Sequence, residues 1–214
     1  MEHNFWHDRW QSGRIGFHED EPNPLLTSHF PALSAPENGR VFVPLCGKTL
    51  DIGWLLSEGH RVAGAELSEL AIRQLFEELG VNPEVTDLGE LKRYSATGID
   101  IFVGDIFDLA PALLGPVDAV FDRAAFVALP AEMRAAYAPH IADITGHAPQ
   151  LLVTFEYDQS RLDGPPFAIG REEVTRLYGE RYDIKALARE DVAGGMKGVA
   201  ATETVWLLGQ THSG

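Results

Sequence analysis

From residue 40 onward the chain alternates between two kinds of apolar pattern, and that alternation limits its fold more than any other feature. Residues 40–46 form a short apolar run ending at Gly47, the pattern of a strand buried on both faces. Residues 50–58 follow with Ile52, Leu55 and Leu56 at helical spacing, closed by Gly59. Residues 61–67 form a second strand-like run. Ser68 then caps a helix whose apolar positions Leu70, Ile72, Leu75, Phe76 and Leu79 run to Gly80.

The pattern continues with a short strand at 99–104, preceded by a candidate edge strand at 91–96, and another strand at 117–122. Pro130 opens a helix that Pro139 is expected to interrupt or kink. Residues 150–157 are strongly apolar, and residues 171–178 carry Val174, Leu177 and Tyr178 on one helical face. Two further strand-like runs, 182–192 and 203–209, have no helix between them and so must run antiparallel. Ahead of the sheet, Asn4 is a candidate N-cap for a short helix with Phe5, Trp6 and Trp10 near one face, ended by Gly13. The loop-like stretches 18–24, 31–39 and 158–166 are too short to separate domains. The expectation is one α/β domain over 1–214, with an N-terminal segment 1–39 ahead of a core 40–214. That core is a mostly parallel sheet of about seven strands with helices on both faces and a terminal antiparallel hairpin.

Composition bounds the function. A chain of 214 residues, 45% hydrophobic, can bury a core without metal or disulfide, and its single cysteine, Cys46, excludes an intramolecular bridge. The charged start MEHNFWHDRW has no signal-peptide core, and no run approaches the roughly 20 apolar residues of a membrane helix. A soluble, cytoplasmic monomer is expected. The net charge of −15 and the lack of any Lys/Arg cluster argue against nucleic acid and against an acidic membrane surface as partners.

In an open parallel sheet, ligands sit beyond the carboxyl ends of the strands. The first strand ends in Val43-Pro44-Leu45-Cys46-Gly47-Lys48 before a helix, where backbone N–H groups and a helix N-terminus can meet a carboxylate, or form an ordinary turn. Glu66 ends the second strand, where an acidic residue can accept both ribose hydroxyls of an adenosine or merely complement a helix dipole. Asp105 can bond an adenine amino group with Ile106 or Phe107 packed on the ring, or simply begin a β-turn. Arg123, after the fourth strand, holds an anionic ligand or pairs with Asp122. Cys46 is expected to be a small buried residue rather than a nucleophile. His3 and His7 lack the H-E-x-x-H context of a metal site, so no metal is expected. Trp6 is expected in the core.

These residues resemble the bacterial thiopurine S-methyltransferases, in order along nearly the whole chain. The matching stretches are Phe5-Trp6 with Trp10, Ile15-Gly16-Phe17-His18, the Val43-to-Lys48 turn, Gly59-His60 with Glu66-Leu67-Ser68, and Asp105-Ile106-Phe107-Asp108. Asp122-Arg123-Ala124 and Gly164-Pro165-Pro166-Phe167 complete the set. The resemblance implies a Rossmann-like class I methyltransferase that binds S-adenosyl-L-methionine and methylates the sulfur of small aromatic or heterocyclic thiols, with selenium or tellurium compounds as further acceptors. It implies that Trp10, Leu45, Glu66 and Arg123 line the cofactor site, joining Asp105 and Ile106. It also implies that the N-terminal segment with Phe17 folds over the cofactor and helps form the acceptor pocket, where Arg123 can favour a thiolate. No catalytic base is implied, because methyl transfer to a thiolate needs alignment above all. The glycine-rich stretch 193–198 departs from the family and leaves acceptor preference open. Two other classes remain: an NAD(P)-type oxidoreductase, disfavoured by the missing G-x-G-x-x-G, and a non-catalytic nucleotide-binding protein.

Overall fold

Val41 and Val43 point to one face of a central sheet and Phe42 to the other, and each face buries its own core. The structure is a computed structural model describing residues 3–14 and 19–210. Its strands are β1 (Arg40–Pro44), β2 (Arg61–Glu66), β3 (Glu84–Asp87), β4 (Lys92–Ala96), β5 (Ile99–Val103), β6 (Ala119–Arg123), β7 (Gln150–Tyr157), β8 (Tyr182–Asp191) and β9 (Ala201–Gln210). They form one sheet in the order β3-β4-β5-β2-β1-β6-β7-β9-β8. The five central strands are parallel. β9 inserts antiparallel between β7 and β8, as the helix-free final runs require.

The helices are α1 (His3–Gln11), α2 (Pro24–His29), α3 (Leu50–Ser57), α4 (Glu69–Glu78), α5 (Pro111–Leu114), α6 (Ala131–Ile144) and α7 (Arg171–Tyr178). Leu26 of α2, Ile52 and Leu55 of α3, and Ile72 and Phe76 of α4 pack with Val41, Val62 and Ile101 on one face. Tyr137 and Ile141 of α6 and Val174 and Tyr178 of α7 pack with Phe42, Phe102 and Leu152 on the other. Helices on both faces of a mostly parallel sheet are thus observed.

Four expectations need correction. The sheet has nine strands, because β3 and β4 form a hairpin antiparallel to β5. The segment Glu84–Asp87 gives no apolar alternation, since its Val85 is half exposed, so β3 is invisible in the sequence. α6 runs unbroken through Pro139. The lost N–H removes one helical bond, but Tyr137, Ala138, Ile141 and Ala142 on either side are fully buried and hold the helix against the sheet. α2, capped by Asn23, starts at the end of a stretch read as loop, and a 3₁₀ turn (Phe30–Leu33) follows it into the next. α1 begins at His3, so Asn4 lies inside the helix rather than at its N-cap.

Candidate active site

A cleft of about 480 Å³ opens beyond the carboxyl ends of β1, β2, β5 and β6, where the strand order reverses between β1 and β6. Trp10, Leu45, Glu66, Asp105, Ile106 and Arg123 all line it. Phe17, with the rest of Ile15-Gly16-Phe17-His18, lies outside the described residues.

The floor is the turn after β1. Leu45 adopts φ +46° and Gly47 φ +53°, which reverses the chain immediately after Pro44. A left-handed leucine costs energy and survives only where surroundings fix it, and such residues concentrate at functional sites. The Cys46 N–H bonds the Ala65 carbonyl at 3.0 Å, tying the turn to β2. A Cβ added at Gly47 would sit 2.9 Å from the Trp10 ring, so the absent side chain is what lets Trp10 lie on the turn. Trp10 is only 5% exposed. Trp6, one helical turn earlier, also lines the cleft, correcting its expected place in the core. Residues four apart share a helix face, so α1 presents both indoles together.

Glu66 closes β2 and is 7% exposed. Its Oε2 accepts from the Gly47 N–H and its Oε1 from the Ser68 N–H, both at 2.8 Å. Burial pushes its carboxyl up, and the backbone donors of Ser68, Gly47 and Leu67 oppose that rise. A carboxylate has four acceptor positions, so two bonds leave capacity facing the cleft. Glu66 is therefore both a tie at the start of α4 and a candidate acceptor for hydroxyls. The Cys46 thiol is buried, and burial followed by the Glu66 charge pushes it well above its ordinary value, which suits no nucleophile.

Asp105 begins a 3₁₀ turn by accepting from the Phe107 N–H at 3.0 Å and still lines the cleft. Of its two hydrophobic neighbours, Ile106 faces the cleft while Phe107 packs on His140 with ring centroids 5.4 Å apart. β6 separates Asp122 from Arg123 by strand alternation. Asp122 is fully buried and accepts from the Tyr137 hydroxyl at 2.7 Å and the Phe126 N–H at 3.1 Å. Arg123 turns into the cleft and forms an ion pair with Glu19.

Glu19 escaped the sequence reading, because 104 residues separate it from Arg123 and no local spacing marks it. Its second oxygen accepts from the Asn23 side chain at 3.3 Å, and the Asn23 N–H bonds Asp51 at 2.7 Å. The far wall is apolar, with Val127, Leu129, Met133, Phe155 and Pro166. Met196 and Lys197 bring the 193–198 stretch to the rim. Among the described residues, no helix is long and apolar enough to cross a membrane, and no His/Cys/Asp/Glu group could hold a metal.

Residues 1–209 match the thiopurine S-methyltransferase family. The chain belongs to that family. It is 60% identical to the thiopurine S-methyltransferase of Xanthobacter autotrophicus, over 97% of this chain and 99% of that protein. It is 54% identical to that of Teredinibacter turnerae, over 97% of each. Among solved structures, the fold is similar to a Burkholderia thailandensis 1,6-didemethyltoxoflavin-N1-methyltransferase bound to S-adenosylhomocysteine. The TM-score is 0.65 at 15% identity, covering 97% of this chain and 87% of that one. An Anabaena variabilis SAM-dependent methyltransferase gives a TM-score of 0.64 at 12% identity, over 97% and 95% of the two chains.

The site fits the cofactor that the family uses. A buried carboxylate beside a glycine turn, an indole wall and an apolar shelf supply the acceptors and surface that a nucleoside with a charged amino-acid tail requires.

Proposed function

We propose that this protein transfers the methyl group of S-adenosylmethionine to the sulfur of small aromatic and heterocyclic thiols, thiopurines among them, with selenium and tellurium compounds as further acceptors. The observation that carries this reading is Glu66, buried at the end of β2 and braced by the Gly47 and Ser68 N–H groups beside the turn that Trp10 covers. The bound cofactor supplies a methyl group already activated by its sulfonium, so the protein's task is alignment, worth about 7–11 kcal/mol when reacting atoms are well placed. Glu66 would hold the ribose hydroxyls and Asp105 the adenine amino group, with Ile106 against the ring. Leu45 and Trp10 would line the remainder of that site. Arg123 faces both the cofactor and the acceptor end.

The start of the segment 1–39, which carries α1, would cover the cleft, with Trp6 and Trp10 excluding water and Phe17 completing the acceptor pocket, while α2 of the same segment packs into the core. Monomeric action in the cytoplasm on a small molecule, without nucleic acid, suits the acidic surface, and light scattering would test the monomer. The deciding experiment is turnover with a panel of thiols, joined to calorimetric titration with S-adenosylhomocysteine and with NAD. Methylated thiols and binding of S-adenosylhomocysteine alone are expected. Binding of NAD would support the oxidoreductase class, and binding without turnover a silent nucleotide-binding protein.

A further inference from the structure

We propose that Glu19 sets the charge class of the acceptor: by occupying the Arg123 guanidinium it makes the acceptor end of the cleft admit neutral thiols and thiones and reject thiols that carry a carboxylate. The inference rests on the reading of this cleft as a thiol methyltransferase site.

A lone arginine at a strand's carboxyl end attracts anions, and that is how the sequence presents Arg123. The structure changes its electrostatics. Glu19 is ion-paired to Arg123, and both line the cleft. Glu19 is also braced where it stands. The Asn23 side chain donates to it, Asn23 is 3% exposed, and the Asn23 N–H is fixed by buried Asp51, which also accepts from the Thr49 hydroxyl at 2.8 Å. A chain of polar contacts therefore runs from the glycine turn to the Arg123 guanidinium, so Glu19 is held by more than its partner.

A second carboxylate lies in the same field. Glu203 on β9 pairs in register with Phe155, itself a cleft residue. Burial raises the Glu203 carboxyl, Arg123 draws it down, and Glu19 and Glu190 raise it. Glu19 offsets the charge of Arg123, so the guanidinium gives an incoming carboxylate little net attraction, while Lys197 stands at the rim. The facing wall of Val127, Leu129, Met133 and Phe155 is apolar and offers a second carboxylate no compensation. A ring bearing only its thiol fits such a chamber, whereas one bearing an additional carboxylate must displace Glu19 or enter against it.

The test compares 3-mercaptobenzoate with 3-mercaptobenzamide, which differ by one charge remote from the sulfur. With saturating S-adenosylmethionine at pH 7.5, the protein should favour the amide by about tenfold or more in kcat/KM, and added salt should shrink the preference. Glu19→Gln should bring the acid-to-amide ratio close to one, and the ratio rather than either rate is the readout. Glu19→Asp keeps the charge and should keep the preference. Equal use of acid and amide by the unmodified protein overturns the proposal, as does a Glu19→Gln variant that loses both activities in proportion, the signature of a merely structural role. Failure to methylate either compound while S-adenosylhomocysteine still binds overturns the thiol reading and this proposal with it.

Discussion

Glu66 and Arg123 show how much of a site a single side chain can carry, and each has a distinct measurable consequence. Glu66 holds both the Gly47 and Ser68 N–H groups, so its loss disturbs the glycine turn and, on the proposed reading, takes away the acceptors for two ribose hydroxyls. Glu66→Ala should weaken S-adenosylhomocysteine binding by about 2–3 kcal/mol, the scale of lost charge-assisted hydrogen bonds. Calorimetric titration of a variant with unchanged circular dichroism checks this, and an unchanged affinity removes the assignment. Arg123 pairs with Glu19, so its removal leaves that carboxylate unbalanced against the cleft. Arg123→Ala should lower kcat/KM by about 1.5–3 kcal/mol, and Arg123→Lys should recover only part, because a point charge does not replace a planar fork. Measuring cofactor affinity in the same variants separates a cofactor route from an acceptor route. If neither quantity changes, Arg123 has no part in the site.

Elements, rather than residues, decide whether the cleft is closed. α1 carries Trp6 and Trp10 on one face, and the Trp10 ring rests on Gly47 of the turn after β1. The strands and helices from α2 onward bury their apolar faces against one another through two clusters that, among the described residues, include none of α1. Deletion of residues 1–17 should therefore leave a cooperatively folding sheet with little methyl transfer. Circular dichroism with urea unfolding reports the first, and thiol turnover the second. Full turnover by the truncated chain would rule out the covering role. Slower amide exchange over residues 5–14 on adding S-adenosylhomocysteine would support it.

At the scale of the whole molecule, stability depends on pH through buried carboxyls on the sheet. Asp122 is fully buried, and burial raises its carboxyl to about 6 against the bonds from Phe126 and Tyr137. A carboxyl raised by folding binds its proton more tightly in the native state, so stability is greatest below the unfolded value and falls as pH rises from about 4 to about 6. Glu66, also raised, acts with the same sign. Glu69 is lowered to about 2 by its bonds to Tyr94, Lys92 and Arg73, so its stabilisation is lost only as pH falls below about 4. Between pH 5 and 7.5 the unfolding free energy should drop by about 1–2 kcal/mol on account of Asp122. Asp122→Asn, whose oxygen can still accept from the Phe126 N–H while its amide donates to the Tyr137 hydroxyl oxygen, should flatten that slope. A slope unaltered by the substitution would show that Asp122 does not titrate in this window. The alternation that makes such a sheet was legible along the chain, because a strand buried on both faces and an amphipathic helix each write a local period into the residues. Glu66, Arg123 and the glycine turn were legible for a related reason: each follows directly on the end of a strand, and strand ends are where a parallel sheet places its ligands. The β3 strand was not, since Glu84–Asp87 is held by pairing with β4 rather than by burial of its own side chains. Pro139 misled because the packing of α6 outweighs one lost hydrogen bond. Trp6 and Glu19 were decided by tertiary structure alone: α1 carries Trp6 onto the cleft, and folding brings Glu19 to an arginine 104 residues away. Periodicity is a property of neighbours in sequence, whereas the charge that a cleft presents is a property of neighbours in space.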